Sequence, residues 1–181
     1  MNACFFLQPW FDKLYETFIA KGYYKLLLQG FGNTIIITLG ALCIGVIIGT
    51  LIAVIKYFAE DTKWLRPFAV ISDIYVTVIR GIPVVVLLLI FYFIILASAQ
   101  GTVVAIITFG INSGAYMAEL IRGGINSVDR GQMEAGRSLG MSKLQAMHKI
   151  IFPQALRYIL PAIGNEMIAL LKETAVAGYV A

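Results

Sequence analysis

The feature that most constrains the fold is an uncharged apolar run at residues 34–55. This run holds 22 residues without a charged side chain, and as a helix it would cross the ~30 Å hydrocarbon core of a bilayer. Of the 181 residues, 60% are hydrophobic and only 13% are charged, which leaves too little polar surface for a soluble domain. The sequence therefore predicts an all-α polytopic membrane protein, and its length predicts one domain over residues 1–181.

Three further apolar segments predict crossings, which makes four transmembrane helices in all. Residues 67–97 form one stretch that is interrupted by RGIP at 80–83. As a straight helix this stretch would be about 46 Å long, too long for one crossing yet too short for two crossings and a turn. We therefore expect one crossing that follows a shallower segment and bends at the proline, which cannot continue regular helical hydrogen bonding. The other crossings are expected at 102–121 and at about 154–171.

Basic residues predict which loops face the cytoplasm. They lie in the connection 56–66 and in a polar insert at 122–149, whereas the turn at 98–101 has none. The positive-inside rule therefore places both basic segments in the cytoplasm, with residues 1–33 outside the cell or at the interface. The net charge of +4 follows from these loops. No cluster reaches about five or six basic residues, so nucleic acid is not an expected partner.

The polar insert begins with the signals of a short helix. Asp129 followed by Gln132 predicts a capping box that opens a helix over about 130–139. Gly140 suits the left-handed residue that ends such a helix. The insert is therefore predicted to be folded at this point.

A second short helix is predicted directly after the glycine. Ser142 with Gln145 forms another capping box, and the helix that it opens must end by Pro153. Three apolar residues recur at helical spacing along it: Leu144, Met147 and Ile151. Two consecutive caps argue against disorder, although composition alone leaves a solvated loop as an equal alternative. His148 is expected to be an interfacial residue of this helix rather than a catalytic base.

Small and charged residues give the first of these helices the features of a docking element. Ala135 and Gly136 would let another backbone approach closely. Glu134 and Arg137 are three residues apart, so they either hold each other in place or meet charges on a partner.

Polar residues at membrane depth are candidates for a transport pathway because they are costly there without a role. Arg80 either binds a substrate carboxylate, pairs with Asp73 two turns earlier, or anchors at the interface, and the structural alternatives are favoured. Asn112 and Ser113 lie in mid-span, where pathway lining and interhelical packing are equally compatible with the sequence.

The last predicted crossing is the least hydrophobic of the four. Asn165 and Glu166 lie on it, which suits a helix that faces a water-filled cavity. Near the end of the preceding crossing, Glu119 and Arg122 are expected to form an intrahelical ion pair.

The first span carries small residues that allow another helix to approach closely. Gly45 and Gly49, with Gly40 one turn earlier, either pack within the subunit, which is the favoured interpretation, or face a second chain. No metal site is expected, because the chain has one histidine and no Cys-x-x-Cys. A structural disulfide between Cys4 and Cys43 is not expected either.

The polar insert resembles a known motif. Residues 134–153, EAGRSLGMSKLQAMHKIIFP, resemble the EAA loop of ABC importer permeases: Glu-Ala-Ala, three residues, Gly, nine residues, then Ile-x-Leu-Pro. Five positions match at fixed intervals: Glu134, Ala135, Gly140, Ile150 and Pro153. Gly136 stands in place of the second alanine and Phe152 in place of the leucine, and neither change disturbs the spacing.

Three other stretches extend the resemblance to permeases for polar amino acids. RGIP at 80–83 resembles their Arg-Gly-Thr-Pro element, and AYMAELIRGGINSVDRGQMEA at 115–135 resembles their run from Ala-Tyr-x-Ala-Glu to Gly-Gln-x-Glu-Ala. FPQALRYILPAIGNEMIALLKETAV at 152–176 is similar to their Pro-Gln-Ala to Lys-Asp-Thr-Ser-Leu stretch, with Glu173 for Asp and Ala175 for Ser. Such permeases usually carry one further span. The resemblance therefore implies a MetI-like permease core with four of five transmembrane helices, short at its C-terminus.

The resemblance implies a transmembrane permease subunit, not an enzyme, of an ABC importer for polar amino acids in the bacterial plasma (inner) membrane. The implied partners are ABC ATPase subunits, an identical or homologous second permease, an extracytoplasmic amino-acid-binding protein and the lipid bilayer. The chain has no Gly-x-x-x-x-Gly-Lys-Ser/Thr sequence, so no cofactor is expected on it, and ATP and Mg are expected on the partner ATPase.

Two other classes of protein remain as alternatives. An intramembrane enzyme would need a nucleophile with a base, or paired carboxylates, at membrane depth. A stand-alone channel or secondary carrier would leave the capped insert unexplained.

The implied site residues form two groups, and neither is catalytic or metal-binding. The polar insert is expected to form the coupling helices, with these residues docking on the ATPase: Glu134, Ala135, Gly136, Arg137, Gly140, Met141 and Ser142. The candidates for the substrate pathway are Arg80, Asn112, Ser113, Asn165 and Glu166.

Overall fold

The computed structural model describes residues 13, 15–59 and 62–180, and all regular structure in those residues is helical. This confirms the all-α prediction. The α-helices of the described residues are α1 (Tyr23–Ala59), α2 (Arg66–Gly81), α3 (Val84–Ile90), α4 (Gly101–Asn126), α5 (Arg130–Ser138), α6 (Lys143–Ala146) and α7 (Phe152–Glu173). The π-helical turns are Glu16–Ala20, Phe91–Ile95 and Met147–Ile151, and the 3-10 turns are Lys63–Leu65 and Thr174–Tyr179.

The chain falls into two compact units, Met1–Ile36 and Ile37–Ala181. The described part of the first unit consists of a π-helical turn and the beginning of α1. Gly22 lies between them with a φ of 71°, a left-handed conformation that glycine adopts without strain. Residues 1–12 of the predicted extracytoplasmic segment lie outside the described residues. The candidate site lies in the second unit.

The uncharged run lies within α1, which is longer than the predicted span. The helix continues through Lys56 to Ala59, where the sequence predicts the start of a loop. That part of the loop prediction is wrong, because the Lys56 ammonium group finds carboxylates on two other helices instead of solvent.

The predicted bend at RGIP is confirmed. The helix axis bends by 105° between the segment before it and the segment after it. Ile82 is extended, with φ −94° and ψ 128°, as the steric conflict with a following proline favours. Pro83 then caps the N-terminus of α3.

α1 and α4 approach each other closely through glycines on both helices. A Cβ atom placed on Gly45 would lie 2.7 Å from Ser113 Oγ, and one on Gly49 would collide with the Met117 side chain. On α4, Gly114 in turn leaves room for an isoleucine of α1. The glycines of the first span therefore serve packing inside the subunit, which was the favoured interpretation.

α4 is the central helix of the second unit. At one end its Phe109 is fully buried in a cluster with Leu88 of α3 and Leu170 of α7. At the other end Ile121 packs in a separate cluster with Ala155 of α7 and with residues of the polar insert. One helix thus contacts both the bent pair and the insert.

Within the described residues, α1 and α4 are long and apolar enough to cross a membrane, and the bent pair would form a third crossing. α7 has 22 residues, which gives a helix about 33 Å long. It contains Pro161 and several polar residues, and it is not among the helices that are apolar enough by themselves. The fourth crossing stays a prediction.

The two short helices of the polar insert form as predicted, but the first cap differs. Asp129 Oδ1 accepts a hydrogen bond from the backbone N–H of Gly131 at 2.7 Å. Gln132 does not return a bond to Asp129 in a capping box; its side-chain oxygen accepts from Gln154 at 3.3 Å. The N-cap therefore lacks the reciprocal hydrogen bond of a capping box. The Gln132 side chain instead links α5 to the start of α7.

The glycine and the second cap are confirmed. Gly140 has a φ of 83°. The Ser142 hydroxyl accepts from the Gln145 N–H at 3.2 Å, and the Gln145 side chain accepts from the Ser142 N–H at 2.8 Å.

The helical path does not stop before Pro153, contrary to prediction. A π-helical turn, Met147–Ile151, leads directly into α7, and Pro153 falls in the first turn of α7. The proline, which has no backbone N–H to donate, falls where the π-helical turn changes the hydrogen-bonding register. The Gln154 side chain also donates to the Ile150 carbonyl at 2.9 Å.

Candidate functional site

The predicted docking residues divide into exposed ones and ones that shape the insert. Glu134, Ala135 and Arg137 are exposed on α5, whereas Gly136 is buried. A Cβ atom on Gly136 would lie 2.9 Å from Ile150 Cδ1. The close approach that Gly136 allows is thus to a side chain of the same chain, not to another backbone as predicted.

The predicted pair of Glu134 and Arg137 does not form. Arg137 instead donates to the Met141 carbonyl at 3.1 Å, a contact that closes the turn around Gly140. In the part of the chain that the structure describes, Glu134 takes part in no ion pair. Its charge is therefore available to a partner, whereas Arg137, Met141 and the Ser142 cap fix the shape of the turn.

One exposed apolar residue of the insert was not predicted as a docking residue from the sequence. Leu139 is 79% exposed beside Gly140, and Leu144 is also exposed. The signal was present, since a leucine next to a glycine that ends a helix projects from the turn. Exposed leucines on a folded surface segment are typical of an interface with another protein.

Two of the pathway candidates meet. Ser113 is fully buried on α4, and its hydroxyl donates to Glu166 Oε1 of α7 at 2.9 Å. Asn112 is also buried, while Asn165 is exposed on α7. The structure thus joins α4 and α7 by a hydrogen bond to a carboxylate and leaves Asn165 outside this contact.

Arg80 lies on α2 and does not take part in the contact between Ser113 and Glu166. Its guanidinium carbon is 5.0 Å from the centroid of the Tyr116 ring, a distance typical of cation–π contacts. The predicted alternative partner, Asp73, pairs with Lys56 instead. Arg80 lines an open cavity of about 450 Å³ between α2 and α4, whose lining does not include Glu166.

A network of charges joins α1, α2 and α4. The predicted pair is present, with Arg122 Nη2 donating to Glu119 Oε2 at 2.7 Å. Lys56 Nζ lies 3.5 Å from the other oxygen of Glu119 and 2.5 Å from Asp73 Oδ1. No local sequence pattern joins Lys56 to these residues, because Lys56 lies on α1, Asp73 on α2, and Glu119 and Arg122 on α4.

This arrangement of helices is shared with known transport proteins. Residues 45–181 match the protein family described as binding-protein-dependent transport system inner membrane component. The chain belongs to this family. A relative of this inner membrane component, the arginine transport system permease protein ArtQ of Bacillus subtilis, is 38% identical over 155 residues, which cover 83% of this chain and 68% of ArtQ.

Two solved structures resemble the inner membrane component. An amino acid ABC transporter crystallised with histidines matches with a TM-score of 0.80 and 39% identity over 89% of this chain and 74% of that one. The inward-facing MetNI methionine ABC transporter matches with a TM-score of 0.73 and 24% identity over 88% and 76%, which shows the fold alone. These matches confirm the predicted ABC permease fold and do not favour the alternative of an intramembrane enzyme.

Proposed function

We propose that this inner membrane component is the permease subunit of an ABC importer for polar amino acids. The ArtQ relative is named for arginine transport, and the structure that is 39% identical is that of an amino acid ABC transporter. The single observation that carries the proposal is the polar insert, which is a folded and exposed helix–glycine–helix unit. A chain without a phosphate-binding loop needs such a unit to receive energy from another subunit.

The exposed face of the insert docks on the ATPase. Glu134, Ala135 and Leu139 are exposed there. Glu134 supplies a charge that no ion pair of the described residues uses, Leu139 supplies an apolar anchor, and the Ser142 cap keeps the turn rigid. ATP and Mg bind to the ATPase, and this chain holds neither and catalyses no reaction of its own.

Orientation and partners follow from the same assignment. The basic residues of 56–66 and of the insert place both segments in the cytoplasm. A second permease, identical or homologous, completes the pathway, and a binding protein delivers substrate from the other side of the plasma membrane.

The substrate pathway includes Arg80 and the contact between Ser113 and Glu166. Arg80 has no carboxylate partner in the described chain and faces an open cavity, so it is available to a substrate carboxylate. Ser113 and Glu166 are polar groups at membrane depth, and Asn112 and Asn165 lie beside them in sequence. An ionisable group such as Glu166 at membrane depth is by default a candidate for a functional site, whereas the buried Ser113 and Asn112 are equally suited to packing between helices.

The coupling role is tested with the chain reconstituted in proteoliposomes together with its ATPase and binding protein. Glu134→Lys reverses the exposed charge of the insert, and we expect membrane insertion to persist while ATP-driven uptake is lost for every polar amino acid that the wild-type complex carries. Glu16→Lys, an equal charge reversal at an exposed residue of the first unit, serves as the control. Wild-type uptake by Glu134→Lys would refute the docking role.

The substrate role of Arg80 is tested separately. Arg80→Ala is expected to raise the KM for uptake, with Arg80→Lys retaining part of the affinity because it keeps the charge. Co-purification of the permease with its ATPase measures assembly in the same preparations. If Arg80→Ala abolishes assembly instead, Arg80 serves structure and not substrate.

A further inference from the structure

Lys56 forms ion pairs with carboxylates of two other helices. From α1 it reaches Asp73 of α2 at 2.5 Å and Glu119 of α4 at 3.5 Å. Its side chain is only 16% exposed, so these carboxylates replace water as its surroundings. Arg122 holds the second oxygen of Glu119, which fixes the orientation of that carboxylate toward Lys56.

The end of α4 and the polar insert form one packed body. Val128, in the short connection between α4 and α5, is buried in a cluster with Ile121 of α4 and Ala155 of α7. Gly124 of α4 also lets Ile159 of α7 approach so closely that a Cβ atom would collide with it. A displacement of the insert therefore moves the end of α4, and Glu119 moves with it.

The first half of α2 has much less buried packing than the end of α4. Within residues 66–73 only Ser72 is buried, whereas the second half of the helix packs through Val76 and through a hydrogen bond from Tyr75 to the Ile111 carbonyl of α4 at 2.5 Å. Beside Asp73 an open cavity of about 530 Å³ separates residues of α2 from α1 and α4. The ion pair with Lys56 thus crosses a region of little packing.

We propose that Lys56 is a positioning residue for transport, which passes movement of the polar insert through Glu119 and Asp73 to α2 and its bend. The inference rests on the proposed function, because an ATPase must move the insert. The Asp73 side chain is 64% exposed, and ion pairs that water reaches stabilise a fold little. A small contribution is sufficient for the proposed role, because a coupling between sites of about fivefold already changes transport measurably.

Lys56→Met removes the charge and keeps the length of the side chain, while Lys56→Arg keeps the charge. Lys63→Met removes a charge from an exposed lysine of the neighbouring 3-10 turn and serves as the matched control. ATP hydrolysis and uptake of a polar amino acid that the wild-type complex carries are measured in the same proteoliposomes of the full complex. We expect Lys56→Met to assemble and hydrolyse ATP but to move about fivefold less of this amino acid per ATP. Lys56→Arg restores most of this ratio, and Lys63→Met leaves it unchanged.

The possible outcomes distinguish a positioning role of Lys56 in transport from a purely structural role. An unchanged ratio of uptake to hydrolysis in Lys56→Met overturns the proposal. If Lys56→Met lowers assembly, Asp73→Asn breaks the same link at an exposed residue, and an unchanged ratio there overturns it equally. A wild-type complex without any ATP-driven uptake overturns the proposed function itself, and the inference with it.

Discussion

Gly49 offers the sharpest test of how α1 and α4 pack. Replacing it with alanine would place a Cβ atom against the Met117 side chain and 2.8 Å from the backbone nitrogen of Ala118. Carbon and nitrogen atoms do not approach each other so closely without strain. The backbone of α4 cannot rotate out of the way as the tip of a side chain can, so the two helices must shift apart.

Two effects of the substitution oppose each other, and their sizes decide the outcome. Alanine favours a helix over glycine by about 1 kcal/mol. Overpacking a well-packed contact costs about 1–3 kcal/mol, and a backbone contact belongs at the upper end. We therefore expect Gly49→Ala to lower the free energy of unfolding by about 1–2 kcal/mol, or the Tm by about 2–8 °C for a chain of this size.

The control substitutions lie in the same helix. Gly40 faces only the flexible side chain of Ile106, at 3.0 Å, and Gly30 has open space around it. Thermal unfolding of the purified chain in detergent, followed by circular dichroism, should give a smaller loss for Gly40→Ala and none for Gly30→Ala. A Gly49→Ala chain that melts at or above the wild-type temperature would show that the helices do not pack as described.

Three further substitutions test single contacts. Ser142→Ala should destabilise the start of α6 by about 1 kcal/mol and speed amide hydrogen exchange there, and unchanged exchange would contradict the cap. Gly140→Ala should add about 1 kcal/mol of strain at its left-handed φ, seen as faster exchange in the insert; equal exchange would mean that the turn has another conformation. Ser113→Ala removes the hydrogen bond to Glu166 and should lower stability by about 1–3 kcal/mol, unlike Ser127→Ala, whose hydroxyl is exposed. Equal effects of the two serines would argue against a buried contact.

Features that depend on a few neighbouring residues could be predicted from the sequence. The bend follows from a proline that no helix can continue through regularly, and Gly140 and the Ser142 cap act within one turn of helix. The all-α class follows from the apolar runs. These signals are local, so no knowledge of the rest of the fold is needed to interpret them.

Features that depend on packing could not be predicted in this way. Asp73 and Arg80 lie about 10 Å apart along α2, and a lysine of α1 reaches Asp73 first. The helix around Pro153 continues because a π-helical turn shifts the hydrogen bonding just before it. Gly136 is buried by Ile150, a side chain that the π-helical turn after α6 brings back against α5. The partners of Asp73 and Gly136 are distant in sequence, and the π-helical turn before Pro153 has no sequence signal of its own.

The candidate site was predicted only in part for the same reason. The sequence located the polar insert and the polar residues of the spans. It did not predict which insert residues face outward, since Leu139 and Glu134 are exposed while Gly136 is not. Nor did it predict the contact of Ser113 with Glu166, which requires α4 and α7 to be adjacent.

The most direct test of the account is a cross-linking measurement on the polar insert. In a chain whose native cysteines are replaced by serine, Leu139→Cys is co-expressed with the ATPase and treated with a short bifunctional thiol reagent. Trp64→Cys, at an 87% exposed residue of the other basic connection, is the control on the same predicted side of the membrane. We predict a cross-link to the ATPase from Leu139→Cys and none from Trp64→Cys. A cross-link from Trp64→Cys alone, or from neither position in a complex that transports, would contradict docking through the insert.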